Sequence, residues 1–244
     1  DDEVSTPRAE LSKSNYNSSQ LSNLSFPNFL SDKLNTKLTN DARPGQSNKY
    51  IIRKFYEYLK NKPRSQPTLA VLGLTELARH EIPILGTNNY HHITPSDYHF
   101  NVGTYENHIA KYASMSQLSS TLDNHYKYLY NDRTAITELV QQLNMVSDFA
   151  AVRKTKVIVF FSFFMNNKSE IKGKMYDEIS PTTNSFNFFN FGQPYKQNTL
   201  CTWVDFITQY APEHINGHPL AYDNNILANI MVELVTTKNF NALT

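Results

Sequence analysis

Residues 68–74 read TLAVLGL, a continuous apolar run that follows Pro67 and gives way to polar residues. Unbroken apolarity over this length predicts a strand buried on both faces, as in a parallel sheet. A second run of the same character, KVIVFFSFF, occupies residues 156–164. Between the two runs, Asp132 is the predicted N-cap of a helix whose apolar positions are Ile136, Leu139, Val140, Leu143, Val146 and Phe149. A strand, a helix and a second strand in this order favour a parallel sheet.

Four further helices are predicted around this unit. One begins near Pro27, and one follows Ser47 or Asn48 as its cap, with Ile51, Ile52, Phe55 and Leu59 on its apolar face. A short amphipathic helix is expected over residues 202–210, and a closing helix follows Leu220. Residues 39–42 are expected to be extended.

The length of 244 residues suits a single α/β domain over residues 1–244. Two irregular excursions interrupt the pattern, at about residues 86–131 and 166–200. The second contains the aromatic-rich stretch Phe186–Phe191, which we expect to be exposed, either to stack on sugars or to pack between subunits.

The charge balance argues against polyanionic partners. Lys and Arg total 23 against 22 Asp and Glu, for a formal net charge of +1, so nucleic acid and anionic membranes are not expected partners. The longest apolar runs are far too short to span a bilayer. The single cysteine, Cys201, excludes an internal disulfide and is expected to be buried. A cytoplasmic or virion location fits, and nothing like a signal peptide begins the sequence.

Three short blocks carry a resemblance to a known family. The first is NDARPGQSN at residues 40–48, the second is GLTE at residues 73–76, directly after the first apolar run, and the third is NGHP at residues 216–219. In this order they resemble the SGNH/GDSL hydrolase family, in particular its divergent phage branch. The Arg-His-Glu sequence at residues 79–81 is similar to that branch as well.

The resemblance implies a three-layer α/β/α fold with a mostly parallel, flavodoxin-like central sheet. It also implies that Gly45 lends a backbone N–H to an oxyanion hole, which suits a glycine before a helix N-terminus. Thr75 stands where the family has an asparagine donor, and a hydroxyl has shorter reach. His218 corresponds to the general base. Asn216 occupies the region of the usual acid, so Glu213 in the same loop is the preferred substitute and Asp205 is another.

The nucleophile block of the family, a Gly-x-Ser near the N-terminus, has no counterpart in the sequence. Ser5, Ser12 and Ser14 lack the strand-turn-helix context. We therefore expect about 10–20 residues, one strand and one turn, to precede Asp1.

Two functions from different classes follow from these features. The first is an SGNH-like ester hydrolase that uses serine acyl transfer on an ester or an acylated glycan, including glycan O-deacetylation. The second is a catalytically inactive structural or glycan-binding protein that contacts other virion proteins or itself, which the degenerate motifs favour. No cofactor is expected. His91, His92 and His99 lack the spacing of zinc ligands, so no metal site is expected either.

Overall fold

The computed structural model describes residues 25–42, 46–83, 90–93, 120, 123–163, 169–179, 186–191, 200–210 and 221–237. The chain divides into two compact units, residues 1–42 with 204–244, and residues 43–203. We describe each unit separately, and the single domain over residues 1–244 stays a prediction.

The described elements include both helices and strands. In chain order they are α1 (Phe26–Leu34), α2 (Asn48–Asn61), β1 (Thr68–Leu74), β2 (His80–Pro83), β3 (Tyr90–Ile93), a π-helical turn (His125–Leu129), α3 (Asp132–Val152), β4 (Thr155–Phe161), α4 (Ser169–Ile179), β5 (Asn187–Phe188), α5 (Trp203–Tyr210) and α6 (Ala221–Thr237). The helices together with the parallel pairing of β1, β4 and β5 confirm the predicted α/β class.

The larger unit is built on a small parallel sheet with the strand order β1-β4-β5. β1 and β4 run in register from Thr68 opposite Thr155 to Leu74 opposite Phe161. β5 adds a short parallel edge beside Ile158 and Val159. The predicted parallel pairing of the two apolar runs is therefore confirmed. β2 and β3 form a separate antiparallel pair.

α2 packs against β1 and α3 against β4, and α3 contacts both α2 and α4. The buried apolar side chains of these helices and those of β1 and β4 form one core, to which the helices contribute Ile52, Phe55, Leu59, Ile136, Leu139, Val140, Leu143, Val146, Ala150, Ile171, Met175 and Ile179. The periodic positions predicted for α2 and α3 lie in or against this core, because a helix buries one stripe of its surface.

The two central strands differ in burial. β4 is buried except at Lys156, whereas β1 is buried only at Leu72 and Leu74. The prediction that the first run is buried on both faces was therefore wrong for most of β1. Among the described strands β1 pairs with β4 alone, so it lies at an edge of the sheet. A Cβ at Gly73 would lie 2.8 Å from Ser162 Oγ, which explains a glycine here.

The predicted N-cap of α3 was wrong. The N-cap of α3 is Asn131, not Asp132, because Asn131 is extended and its side chain accepts from the N–H groups of Arg133 and Thr134. Asp132 is already the first helical residue and accepts from the Tyr130 hydroxyl instead. Residues 39–42 form no strand.

The second excursion is more ordered than its composition suggests. It contains α4, whose Ile171, Met175 and Ile179 are buried at helical spacing. The stretch Phe186–Phe191 was expected to be exposed, but its first and last rings are buried and the intervening residues are half-buried, because the stretch includes β5 and packs beside β4. Cys201 is half-buried rather than buried.

The smaller unit contains α1, most of α5 and α6. α1 and α6 pack against each other, and α6 contributes buried side chains at Leu227, Ala228 and Met231. α1 begins at Phe26 with Pro27 in its first turn, as predicted. Among the described helices, none combines the length and the apolar character that a membrane crossing requires.

Candidate functional site

The carboxyl end of β1 and the N-terminus of α2 are held together by one side chain. Asn48 Oδ1 accepts a hydrogen bond from the Thr75 N–H at 2.8 Å, and Asn48 Nδ2 donates to the Thr75 carbonyl at 2.9 Å. Both residues are buried. The asparagine amide thus replaces the strand partner that the backbone of Thr75 lacks once β1 ends.

The local sequence explains why Asn48 is available for this contact. Ser47 is the N-cap of α2, and its hydroxyl accepts from the Tyr50 N–H at 3.1 Å. The capping function is therefore met by the serine. Asn48, the first helical residue, is left to reach across to the loop after β1.

The backbone of Thr75 is hydrogen-bonded to Asn48, whereas the Thr75 hydroxyl lacks a hydrogen bond to any described residue. Its Oγ1 is buried and has no hydrogen-bond partner among the described residues. A buried hydroxyl without a partner is costly and marks a position where a bound group can supply the missing bond. The hydroxyl is also enclosed, so a ligand can reach it only if a neighbouring side chain or loop moves.

Four of the five site residues predicted from the sequence lie outside the described residues, namely Gly45, Glu213, Asn216 and His218. Their roles stay predictions. The structure does bring together the segment that directly follows Gly45 and the loop of Thr75, through Asn48. Asp205, the other carboxylate considered, lies in the first turn of α5.

The residues after Thr75 are fixed by charged and aromatic contacts. The Arg79 guanidinium lies 4.5 Å from the centre of the Phe163 ring, which follows β4. Glu81 is paired with Arg53 of α2 at 2.8 Å, and its side chain is only 6% exposed. The loop is thus tied to both α2 and the end of β4.

An aromatic cluster lies against this loop. His80 contacts the rings of His125, Tyr126 and Tyr130, and the His80 and His125 centroids are 4.7 Å apart. Tyr126 donates its hydroxyl to the Ala78 carbonyl at 2.8 Å. The Nε2 atoms of both histidines are buried without a hydrogen-bond partner in the described part of the chain.

Burial shifts the protonation of this cluster. Burial lowers the pKa of His80 to about 4, with smaller contributions from His125 and Lys49. Burial and the hydrogen bond to Asp132 raise the pKa of Tyr130. Both rings are therefore neutral at neutral pH.

A small cavity of about 40 Å³ lies between the start of α2, this loop and α3. Its polar lining includes Lys49, Arg79, His80, Glu138 and Gln142. Since a water molecule needs about 10–15 Å³, the cavity admits water or a very small group, and a larger substrate requires it to open.

Over the described residues, no group of three His, Cys, Asp or Glu side chains is placed to hold a metal ion. His91 and His92 belong to β3, and only their backbone is described. His99 lies outside the described residues. The absence of a metal site stays a prediction.

Two features of the site were not predicted from the sequence: the role of Asn48 in joining the two loops, and the contact between His80 and the segment 125–130. The role of Asn48 had a usable signal in the sequence: one residue is enough to cap the helix, and Ser47 does so, which leaves the polar Asn48 side chain directly after it for another contact. The second had no local signal, because about 45 residues separate the partners in the sequence.

Comparison with models of protein families, with curated protein sequences and with solved structures finds no match to this chain.

Proposed function

We propose that this chain is an SGNH-like ester hydrolase with a three-layer α/β/α fold, acting by serine acyl transfer on an ester or an acylated glycan. The observation that carries the proposal is the contact of Asn48 with Thr75. It joins the helix entry after Gly45 to the carboxyl end of a parallel strand, which is where open α/β sheets bind their ligands.

The roles follow from the chemistry of acyl transfer. The Thr75 hydroxyl and the Gly45 N–H would donate to the oxyanion of the tetrahedral intermediate. His218 would accept the proton of the nucleophile, with Glu213 or Asn216 orienting the imidazole. No residue of this chain is assigned as the nucleophile.

Hydrolysis of a short-chain p-nitrophenyl ester by the full-length protein tests the proposal. We expect Thr75→Val to lower kcat by about 10²-fold, the effect of removing one oxyanion donor, and His218→Ala to lower it further. Thr68→Val, at the other end of β1, serves as the matched control and should leave kcat unchanged. Equal rates for wild type and His218→Ala would contradict the proposal.

The nucleophile can be located independently. A fluorophosphonate probe forms a covalent bond with an activated serine and releases fluoride, and peptide mass spectrometry then identifies the labelled residue. We expect labelling that is lost in His218→Ala, because the serine needs its base. Labelling that is unchanged in that variant would argue against the assigned base.

A second candidate is a structural or glycan-binding protein without catalysis, in contact with other virion proteins or with itself. The enclosure of the Thr75 hydroxyl and the small volume of the adjacent cavity favour it. It predicts no ester hydrolysis above the buffer rate on either the p-nitrophenyl ester or an O-acetylated glycan, and no labelling by the probe.

A further inference from the structure

The amino end of the sheet carries a concentrated positive charge. α2 and α3 both end here. Residues 60–64, from the last turn of α2 onward, and residues 153–154, after α3, contain five cations without an intervening acidic residue, namely Lys60, Lys62, Arg64, Arg153 and Lys154. We call these five residues the basic cluster. It contrasts with the near-neutral chain as a whole, whose formal net charge is +1.

Hydrogen bonds hold the two segments of the basic cluster against each other. The Arg153 guanidinium donates to the carbonyls of Leu59, Lys60 and Lys62 at 2.7–2.9 Å. Lys62 Nζ donates in return to the Arg153 carbonyl at 2.8 Å. The two segments are therefore adjacent, and the charged groups of Lys62 and Arg153 are held by backbone carbonyls.

None of the five cations forms an ion pair with a described carboxylate. The ion pairs of α2 involve Arg53 and Lys54 instead, further from the helix end. Burial and the charges of Arg153 and Lys154 lower the pKa of Lys62. Lys60, Arg64 and Lys154 are exposed. The exposed Lys60, Arg64 and Lys154 thus have no ion-pair partner among the described carboxylates, and an incoming carboxylate would be attracted to them.

An apolar stripe runs into the basic cluster along α3. Met145, Phe149 and Val152 follow one another at helical spacing, and Met145 and Val152 are 74% and 68% exposed. Tyr56 of α2, 49% exposed, lies beside Phe149 with the ring centroids 5.4 Å apart. Tyr56, Met145 and Val152 are three of the five large apolar side chains that are exposed in the described part of the chain. The Arg153 guanidinium lies 5.7 Å from the centre of the Phe149 ring.

We propose that this face, the apolar stripe together with the basic cluster, binds an amphipathic helix of a partner protein that carries Asp or Glu residues at one end. The stripe spans about 10 Å along α3, or two helical turns, given a rise of about 1.5 Å per residue. That length suits apolar side chains at positions i, i+3 and i+7 of a docking helix. The charges lie at one end of the stripe, so the ligand must present its carboxylates at one end as well.

A peptide fits this arrangement better than other anionic ligands. A nucleic-acid backbone would use the cations and leave the aliphatic side chains of the stripe without a contact. A surface that binds an anionic membrane would have exposed apolar residues at the tip of the basic segments. The stripe lies along the side of α3 instead. The surface is at the end of the sheet opposite Thr75, so the inference is independent of the proposed function.

The test is a selection of helical peptides from a random library of about 16 residues, displayed on phage, with the full chain as the target. We expect enriched sequences to carry apolar residues at helical spacing and acidic residues at one end. Their affinities are then measured by fluorescence anisotropy at low and high salt. No enrichment, or enrichment of peptides without acidic residues, overturns the proposal.

Two double variants identify the surface. Lys60→Glu with Arg64→Glu, and Met145→Ser with Val152→Ser, should each weaken the selected peptide by about tenfold or more, which is about 1.4 kcal/mol. Lys127→Glu with Arg133→Glu makes the same charge change at the opposite end of α3 and should leave the affinity unchanged. Circular dichroism verifies that each variant remains folded. Equal affinity for all variants would place the binding elsewhere.

Two further probes separate the alternatives. A single-stranded oligonucleotide and vesicles containing an anionic phospholipid are measured against the same variants. The proposal expects both to bind more weakly than the selected peptide. If either binds more tightly, and its binding depends on the lysine and arginine variant but not on the Met145 and Val152 variant, the surface is a polyanion site and the proposal is wrong.

Discussion

At the carboxyl end of β1 a neutral asparagine amide satisfies the backbone of Thr75, whereas at the amino end of the sheet a guanidinium satisfies three carbonyl groups at the end of α2. Both contacts join α2 to a distant segment. Asn48 supplies one donor and one acceptor and adds no charge, while Arg153 supplies donors only and adds a positive charge. The two ends of α2 are therefore fixed by different means, one by a neutral amide and the other by a charged group.

The largest expected effect on stability is at the contact of Asn48 with Thr75. Asn48→Ala would leave the buried N–H and carbonyl of Thr75 without partners, and we expect the free energy of unfolding to fall by about 3 kcal/mol. Asn61→Ala, an exposed position in the last turn of the same helix, should change it by less than about 0.5 kcal/mol. Urea denaturation measures both, and a loss at Asn48 no larger than the control would show that the contact is not required.

Removal of the Arg153 side chain should destabilise the protein less than removal of the Asn48 side chain. Arg153→Ala removes three hydrogen bonds, but the carbonyl groups at the end of α2 can regain water, so we expect a loss of about 2 kcal/mol. Arg64→Ala, exposed in the same cluster, provides the control and should be nearly neutral. If Arg153→Ala costs more than Asn48→Ala in the same urea titration, the ranking of the two ends is reversed.

The aromatic cluster next to Thr75 makes this end sensitive to pH. The pKa of His80 is lowered to about 4 from an ordinary value of 6.5, so the unfolded chain takes up the proton first. Stability should therefore fall as the pH drops from about 6.5 to about 4, and the loss should level off below that range. We expect about 1–2 kcal/mol, less than the full shift implies because the ring is partly exposed.

Thermal or urea unfolding at several pH values checks this prediction. His80→Phe, which keeps an aromatic ring in the cluster, should remove most of the dependence between pH 6.5 and pH 4. A variant whose stability falls with pH as steeply as that of wild type would assign the effect to another group.

The smallest expected effect compares two buried threonines. Thr75→Val removes a hydroxyl that has no described partner, so the free energy of unfolding should stay within about 0.5 kcal/mol or rise. Thr155→Val, at the amino end of β4, removes a weak 3.4 Å hydrogen bond to the Arg153 carbonyl and should cost about 0.5–1 kcal/mol. A larger loss at Thr75 would reveal a partner for its hydroxyl.

The fold was predictable where a single segment carried its own signal. β1 has the predicted bounds, and β4 begins one residue earlier and ends three residues earlier than its apolar run. The Ser162 N–H donates to the Leu74 carbonyl at 2.7 Å, which is the last hydrogen bond of the pairing with β1, and β4 ends at the residue before it. The helical period likewise predicted α2 and α3 well. α4 was missed although its apolar spacing was present, because the surrounding residues are rich in asparagine.

The candidate site was predictable only in part. The sequence placed Thr75 after a strand and Ser47 at a helix start, and both placements are confirmed. It did not predict the contact of Asn48 with Thr75, because the two residues are 27 positions apart and neither the helical period nor the strand period relates positions at that distance. Packing between distant segments also decides the contact of His80 with His125, and no local pattern reports such packing.

Lys154 has a consequence for any attempt to make the protein more heat-resistant. Its φ of 52° lies in the left-handed region, where a side chain costs about 1 kcal/mol relative to glycine. Lys154→Gly would relieve this strain and at the same time remove one cation beside Arg153. Selection of variants by melting temperature alone would therefore favour the loss of this lysine. A stabilised variant should be checked for the loss of this positive charge.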